Sequence, residues 1–205
     1  MKKLVAEFIG TFFLVTTIAF SQNPLAIGVI LAIMVYTLGS ISGGHFNPAV
    51  TIGVWVNKKI NTSTAAKYIL TQFVASFAAA AVYFLVTGQK FLPSMASSYS
   101  VLSALLVEAL FTFALVFVVL NVAVSKKAIG NQYFGLAIGL TIFVGATAVG
   151  SISGGAFNPA VGVSPLLFDF QNISANLTNI ALYIFGPVIG AIVASLAYNY
   201  MEDSK

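Results

Sequence analysis

The chain alternates long apolar stretches with short polar breaks. Apolar residues run at about 4–20, 25–43, 66–87, 101–124, 133–152 and 177–200. Each stretch is close to the ~20 residues an α-helix needs to cross a bilayer. Two shorter stretches, 48–56 and 159–168, hold about ten residues each. As helices they reach only ~15 Å, roughly half the hydrocarbon thickness. They are too apolar for ordinary loops and too short to span. The pattern therefore predicts two re-entrant half helices whose open ends line a protein-enclosed cavity. The fold class that follows is an all-α membrane protein, with six transmembrane helices and two re-entrant half helices.

The polar breaks show that the chain contains itself twice. Residues 25–50 read LAIGVILAIMVYTLGSISGGHFNPAV and residues 136–161 read LAIGLTIFVGATAVGSISGGAFNPAV, with 15 identities in 26 ungapped positions. Upstream, AEFIGTFFLV (6–15) matches VEALFTFALV (107–116), aligning Glu7 with Glu108 and Thr11 with Thr112. Downstream, Tyr68, Ala79 and Tyr83 recur as Tyr183, Ala194 and Tyr198. The repeats occupy 1–88 and 101–205 of a single 1–205 unit, and each holds three full spans and one half span. Three is odd, so the second repeat enters the membrane from the opposite side. Such inverted repeats are the signature of a channel or transporter built around a shared site.

Composition agrees. The chain is 59% hydrophobic and 7% charged, with a mean hydropathy of +0.99. Its solvent is lipid, so the lipid bilayer is its first partner. The absence of cysteine excludes disulfides and thiol chemistry. The N-terminal Lys2 and Lys3 resemble the start of a signal peptide, but Glu7 interrupts the apolar run and the segment is half of the repeat, so a retained first span is expected. The net charge of +4 suggests nucleic acid until the lysines are placed. With the N-terminus inside, Lys2, Lys3, Lys58, Lys59, Lys67, Lys126, Lys127 and Lys205 fall on the cytoplasmic side and only Lys90 outside. This positive-inside bias sets orientation, and no nucleic-acid partner is expected. An integral multi-pass protein of the plasma (inner) membrane, with both termini cytoplasmic, is the expectation. The glycosylation patterns at Asn61, Asn172 and Asn176 are read as chance matches in polar loops.

The chemistry sits where each half helix begins. Asn47-Pro48-Ala49 and Asn158-Pro159-Ala160 open the two half helices. Proline suits the first helical position, and asparagine is a strong N-cap. By the inverted symmetry the two half helices meet N-terminus to N-terminus near the midplane. Each end carries a partial positive charge, so together they repel cations and protons. The two carboxamides offer N–H donors to a water-like oxygen. No catalytic constellation, cofactor or metal site is expected.

The paired Asn-Pro-Ala boxes, the Ala-Glu-Phe-Ile-Gly-Thr opening and Ser-Gly-Gly-His-Phe-Asn-Pro-Ala-Val-Thr resemble the aquaporin, or major intrinsic protein, family. The resemblance covers essentially the whole chain. It implies an aquaporin-like fold and a homotetramer with one pore per subunit. It implies that Glu7 and Glu108 brace the re-entrant loops by accepting hydrogen bonds from their backbone. It places the backbone carbonyls of Gly43, Gly44, His45, Gly154 and Ala156 along the pore. His45 is the only histidine, and pH gating through it is a secondary reading. Gly28, Gly139, Gly186 and Gly190 are expected at close helix–helix contacts.

The chain departs from the family at the outer narrowing, where water-selective members usually carry an aromatic, a histidine, a small residue and an arginine. Spacing from the two asparagines puts Ile27, Ala146, Gly155 and Val161 there. The chain has no arginine at all. Gly162, where glycerol facilitators carry aspartate, departs from that branch too. Valine at the last filter position is shared with some plant vacuolar members that tend to pass urea, ammonia or peroxide. The expected function is therefore a passive channel for water and small neutral solutes, with urea, glycerol, ammonia or hydrogen peroxide as candidates beyond water. Two rival readings stand beside it: an ion-coupled secondary transporter with inverted repeats, and a poorly conducting junctional or structural membrane protein.

Overall fold

Local sequence sets the helix limits. Asn23 caps the second helix, its Oδ1 accepting from the N–H groups of Leu25 and Ala26 at 2.9 and 3.2 Å. That helix stops at Gly43, whose φ of 97° lies in the left-handed region that glycine tolerates best. Its counterpart stops the same way at Gly154, φ 88°. Asn61 Oδ1 accepts from Thr64 N at 2.8 Å and starts another helix, which gives this asparagine a capping role.

The computed structural model describes residues 1–203. Lys205, counted above among the orienting lysines, lies outside the described residues. The helices are α1 (Lys2–Ser21), α2 (Pro24–Ser42), α3 (Pro48–Val56), α4 (Thr62–Thr87), α5 (Val101–Val119), α6 (Phe134–Ser153), α7 (Pro159–Phe168) and α8 (Ile173–Asp203). A π-helical turn at Leu120–Val124 extends α5. Six of these segments are long and apolar enough to cross a membrane. The half helices α3 and α7 coincide with the two short apolar stretches. Two spans begin earlier than hydropathy suggests: α4 at Thr62 rather than 66, and α8 at Ile173 within the segment expected to be loop. Their first turns carry Thr62, Ser63 and Thr64 or Ser174 and Asn176, which lower hydropathy without preventing helix formation.

Packing repeats with the sequence. α1 packs along α4, and α5 along α8. α2 and α6 cross where Gly28 meets Gly139; a Cβ on Gly28 would stand 2.6 Å from the Gly139 carbonyl oxygen. A Cβ on Gly186 would stand 2.7 Å from Cβ of Glu108, and Gly190 lies against the backbone of Ala109. These glycines let backbones approach, as in other lipid-embedded interfaces. α3 also packs on α8, and α7 on α4, each contact crossing from one repeat into the other. Leu70, Leu85, Leu102, Leu106, Phe185 and Leu196 face outward and exposed, as lipid solvent permits.

Candidate functional site

Each re-entrant loop is tied to its repeat by a buried glutamate. Glu7 on α1 is fully buried, and its carboxylate accepts from Ser42 Oγ (2.6 Å), His45 N (3.0 Å) and Phe46 N (2.8 Å). Glu108 on α5 repeats this with Ser153 Oγ (2.7 Å), Ala156 N (3.0 Å) and Phe157 N (2.7 Å). Tyr68 and Tyr183, which recur in the sequence without an evident role, complete the brace. Their hydroxyls donate to the carbonyls of Ser42 and Ser153 at 2.8 and 2.6 Å. The loops thus have their outward polar groups satisfied away from water.

The brace forces Phe46 and Phe157 into left-handed backbone, φ 49° and 48°. That conformation is costly for an aromatic residue and persists because the surrounding bonds over-determine it. It turns each phenylalanine carbonyl toward the opposite half. Asn47 Nδ2 donates to Phe157 O at 2.9 Å, and Asn158 Nδ2 donates to Phe46 O at 3.0 Å. Each asparagine Oδ1 meanwhile caps its own half helix, accepting from Ala49 N at 2.8 Å and Ala160 N at 2.9 Å. Two of the four hydrogen-bonding positions of each carboxamide group are then filled: one lone pair of the oxygen by the cap, and one N–H by the opposite phenylalanine carbonyl. The second N–H of each has no partner among the described residues. The prolines follow at the first helical position of α3 and α7.

Both asparagines lie on the wall of a cavity of about 590 Å³. The four positions carried over to the narrowing, Ile27, Ala146, Gly155 and Val161, line it together, as do Gly44, His45, Gly154 and Ala156. Gly43 is not part of the wall; it is spent on ending α2, with its N–H bonded to Gly39 O at 2.8 Å. Pro48, Ala49, Pro159, Ala160, Glu7 and Glu108 stand behind the wall. Much of the remaining lining is aliphatic, including Leu31, Val50, Leu115, Val119, Ile138 and Ile142.

The two halves differ behind His45. Its Nδ1 lies 3.1 Å from Thr51 Oγ1, Gln72 Nε2 donates to Thr51 Oγ1 at 3.0 Å, and Gln72 Nε2 also donates to Glu7 at 2.8 Å. The positions equivalent to His45 and Thr51 in the second repeat are Ala156 and Gly162, and a side chain at Gly162 would collide with Tyr183. Sequence reasoning missed Gln72 and Thr51. Their signal was the absence of a polar partner at matching positions, which only the alignment of repeats exposes.

Gln89 to Ser94, from the segment joining the repeats, form one mouth of the cavity with Gln22, Pro24 and Tyr83. There Lys90 Nζ pairs with Asp169 Oδ1 at 2.6 Å. The Lys90 ammonium first, then the Asn172 amide, hold the Asp169 carboxyl below the usual carboxylate range. Asn172 Nδ2 bonds both carboxylate oxygens, at 3.1 and 3.0 Å.

This architecture can be set beside known proteins. Residues 1–198 match the family described as Major intrinsic protein. Aquaporin AqpM of Methanothermobacter thermautotrophicus is 34% identical over 243 residues, covering 98% of this chain and 98% of the relative. Glycerol uptake facilitator protein-like 6 of Lactiplantibacillus plantarum is 35% identical over 221 residues, again covering 98% of each. The X-ray structure of the aquaglyceroporin from Plasmodium falciparum superposes with a TM-score of 0.80 at 21% identity, covering 96% of this chain and 94% of that one. With a fold of that kind and a family match over nearly its full length, the chain belongs to the major intrinsic protein family.

Proposed function

We propose that the protein is a passive channel for water and small neutral solutes, and that the cavity between the half helices is its conduction path. One observation carries this reading: two capped half helices meet at Asn47 and Asn158, each leaving one amide N–H toward an otherwise largely aliphatic cavity. A water or hydroxyl oxygen accepts from those N–H groups in turn. A cation meets two helix N-termini, each worth about +0.5 charge, with no carboxylate on the wall to compensate among the described residues.

Ile27, Ala146, Gly155 and Val161 form the size-limiting ring in this reading. Lacking a guanidinium, the ring sets fewer donors and no charge against solutes larger than water. Urea, glycerol, ammonia and hydrogen peroxide are the solutes to test. The two relatives named above, an aquaporin and a glycerol uptake facilitator, support water and polyols as the range. The carbonyls of Gly44, His45, Gly154 and Ala156 serve as acceptors along the path. The chain acts as one unit of 1–205, in a homotetramer with a pore per subunit. Its termini face the cytoplasm across the plasma membrane, as the lysine distribution favours.

Stopped-flow permeability of proteoliposomes to water, glycerol, urea, ammonia and peroxide tests the proposal. Water flux above empty vesicles, with flux of at least one larger solute and no ion leak, is expected. Counterflow of labelled solute driven by unlabelled solute would assign a carrier instead and overturn the channel.

A further inference from the structure

Lys90 is the one Asp, Glu, Lys or Arg on the cavity wall among the described residues. It belongs to the 88–100 segment, which is fastened over one mouth. Ala96 N donates to Ile152 O at 3.0 Å, and Met95 N donates to Asn179 Oδ1 at 3.2 Å. The ammonium is fixed from one side. Its partner Asp169 has a side chain only 4% exposed, at the end of α7, while the Lys90 side chain is 31% exposed. An ammonium has three N–H donors, and Asp169 Oδ1 takes one. Lys90 lines the cavity and Asp169 does not, so the positive member of the pair is the one beside the lumen. Val161, on the same α7, leaves the ring itself uncharged.

We propose that Lys90 is a specificity-determining residue of the mouth. Its unspent N–H donors hold the acceptor oxygen of an arriving solute, so the mouth favours neutral molecules with a carbonyl or hydroxyl oxygen over those without one. A charge-assisted donor is stronger than a neutral one, and its position in a partly enclosed mouth reduces screening. The inference rests on the channel reading above and adds to it the chemical class that the mouth selects.

The test compares urea, whose carbonyl oxygen is a strong acceptor, with thiourea, whose sulfur is a weak one, in proteoliposomes of the full chain. Lys90→Met keeps the aliphatic length and removes the donors. The urea-to-thiourea permeability ratio is expected to fall several-fold in Lys90→Met and to return toward wild type in Lys90→Arg. If Lys90 served only to fasten the 88–100 segment, loosening it would change access for both solutes alike and leave the ratio in place. An unchanged ratio in Lys90→Met, with both fluxes still above empty vesicles, overturns the inference and leaves the channel standing. Absence of any flux in the wild type overturns both.

Discussion

Phe46 lies against Gly10 so closely that a Cβ on this glycine would run into its ring. The equivalent pair in the second repeat has two large members. Phe111 stands where Gly10 stood, its ring centroid 5.6 Å from that of Phe157. Room for it comes from Gly145, where a Cβ would sit 2.9 Å from both Phe111 and Phe157. The residue aligned with Gly145 in the first repeat is Met34, which packs against the core containing Phe46. The small residue beside the buried phenylalanine thus lies on α1 in the first half and on α6 in the second. Gly10→Leu is expected to overpack the first site and destabilise by about 1–3 kcal/mol or more, while Phe111→Ala opens a cavity at about 3 kcal/mol. Thermal melts in detergent check both. If Gly10→Leu melts like the wild type, the close approach to Phe46 has no energetic weight.

The cross-bonded asparagines make a sharper demand. Asn158→Asp removes the donor to Phe46 O and sets two oxygens against each other, besides adding negative charge between the helix ends. Neutral-solute flux and thermal stability are both expected to fall, and cations are expected to pass. Conductance of planar bilayers and vesicle flux provide the readout. Solute flux and cation exclusion both at wild-type levels would remove the asparagines from the centre of the site.

Glu7 and Glu108 hold loops without reaching the cavity, so their amides are expected to alter assembly before selectivity. Glu108→Gln brings an NH₂ group against donors where Ser153, Ala156 and Phe157 need an acceptor. An unsatisfied buried donor costs about 1–3 kcal/mol. Glu7→Gln is expected to cost at least as much, since Gln72 Nε2 also donates there. Yield of folded protein and melting temperature measure this. A variant that folds normally but reorders the solutes would contradict the bracing role.

At the ring, Val161→Arg adds a bulky fork of donors and a positive charge, and Ala146→His adds a second polar group. In the double variant urea, glycerol or ammonia permeability is expected to fall far more than water permeability. Wild-type vesicles that already exclude every solute larger than water would show that another residue sets the limit.

The Lys90–Asp169 pair predicts a pH dependence. The folded carboxyl lies below its ordinary value of ~3.9, so the pair's stabilisation is complete above that value. It is lost as pH falls through the lower, folded value. Amide exchange across 88–100 is expected to rise at acid pH below about 4 in the wild type, and to be less pH-sensitive in Lys90→Met. Equal pH responses in the two proteins would mean that the pair does not fasten the segment.

The sequence by itself determined the membrane class, the six spans, the two half helices and their inverted relation. These are properties of apolar length and of repetition, and both are written linearly. It also determined the Asn-Pro starts of α3 and α7, because capping and proline chemistry act within a few residues. Counting from Asn47 and Asn158 also picked out the four residues proposed for the ring, which line one cavity together, since ungapped repeats preserve register. Only the tertiary structure decided what crosses between the halves. It turned the carbonyls of Phe46 and Phe157 to the opposite asparagine, released Gly43 from the wall and put Gln72 behind His45. It also brought Lys90 to Asp169, 79 positions away. Such pairings depend on how helices cross and on which side chain fills the space another leaves. Hydropathy averages over those choices, and a repeat conceals them wherever its two copies solve the same packing problem with different residues.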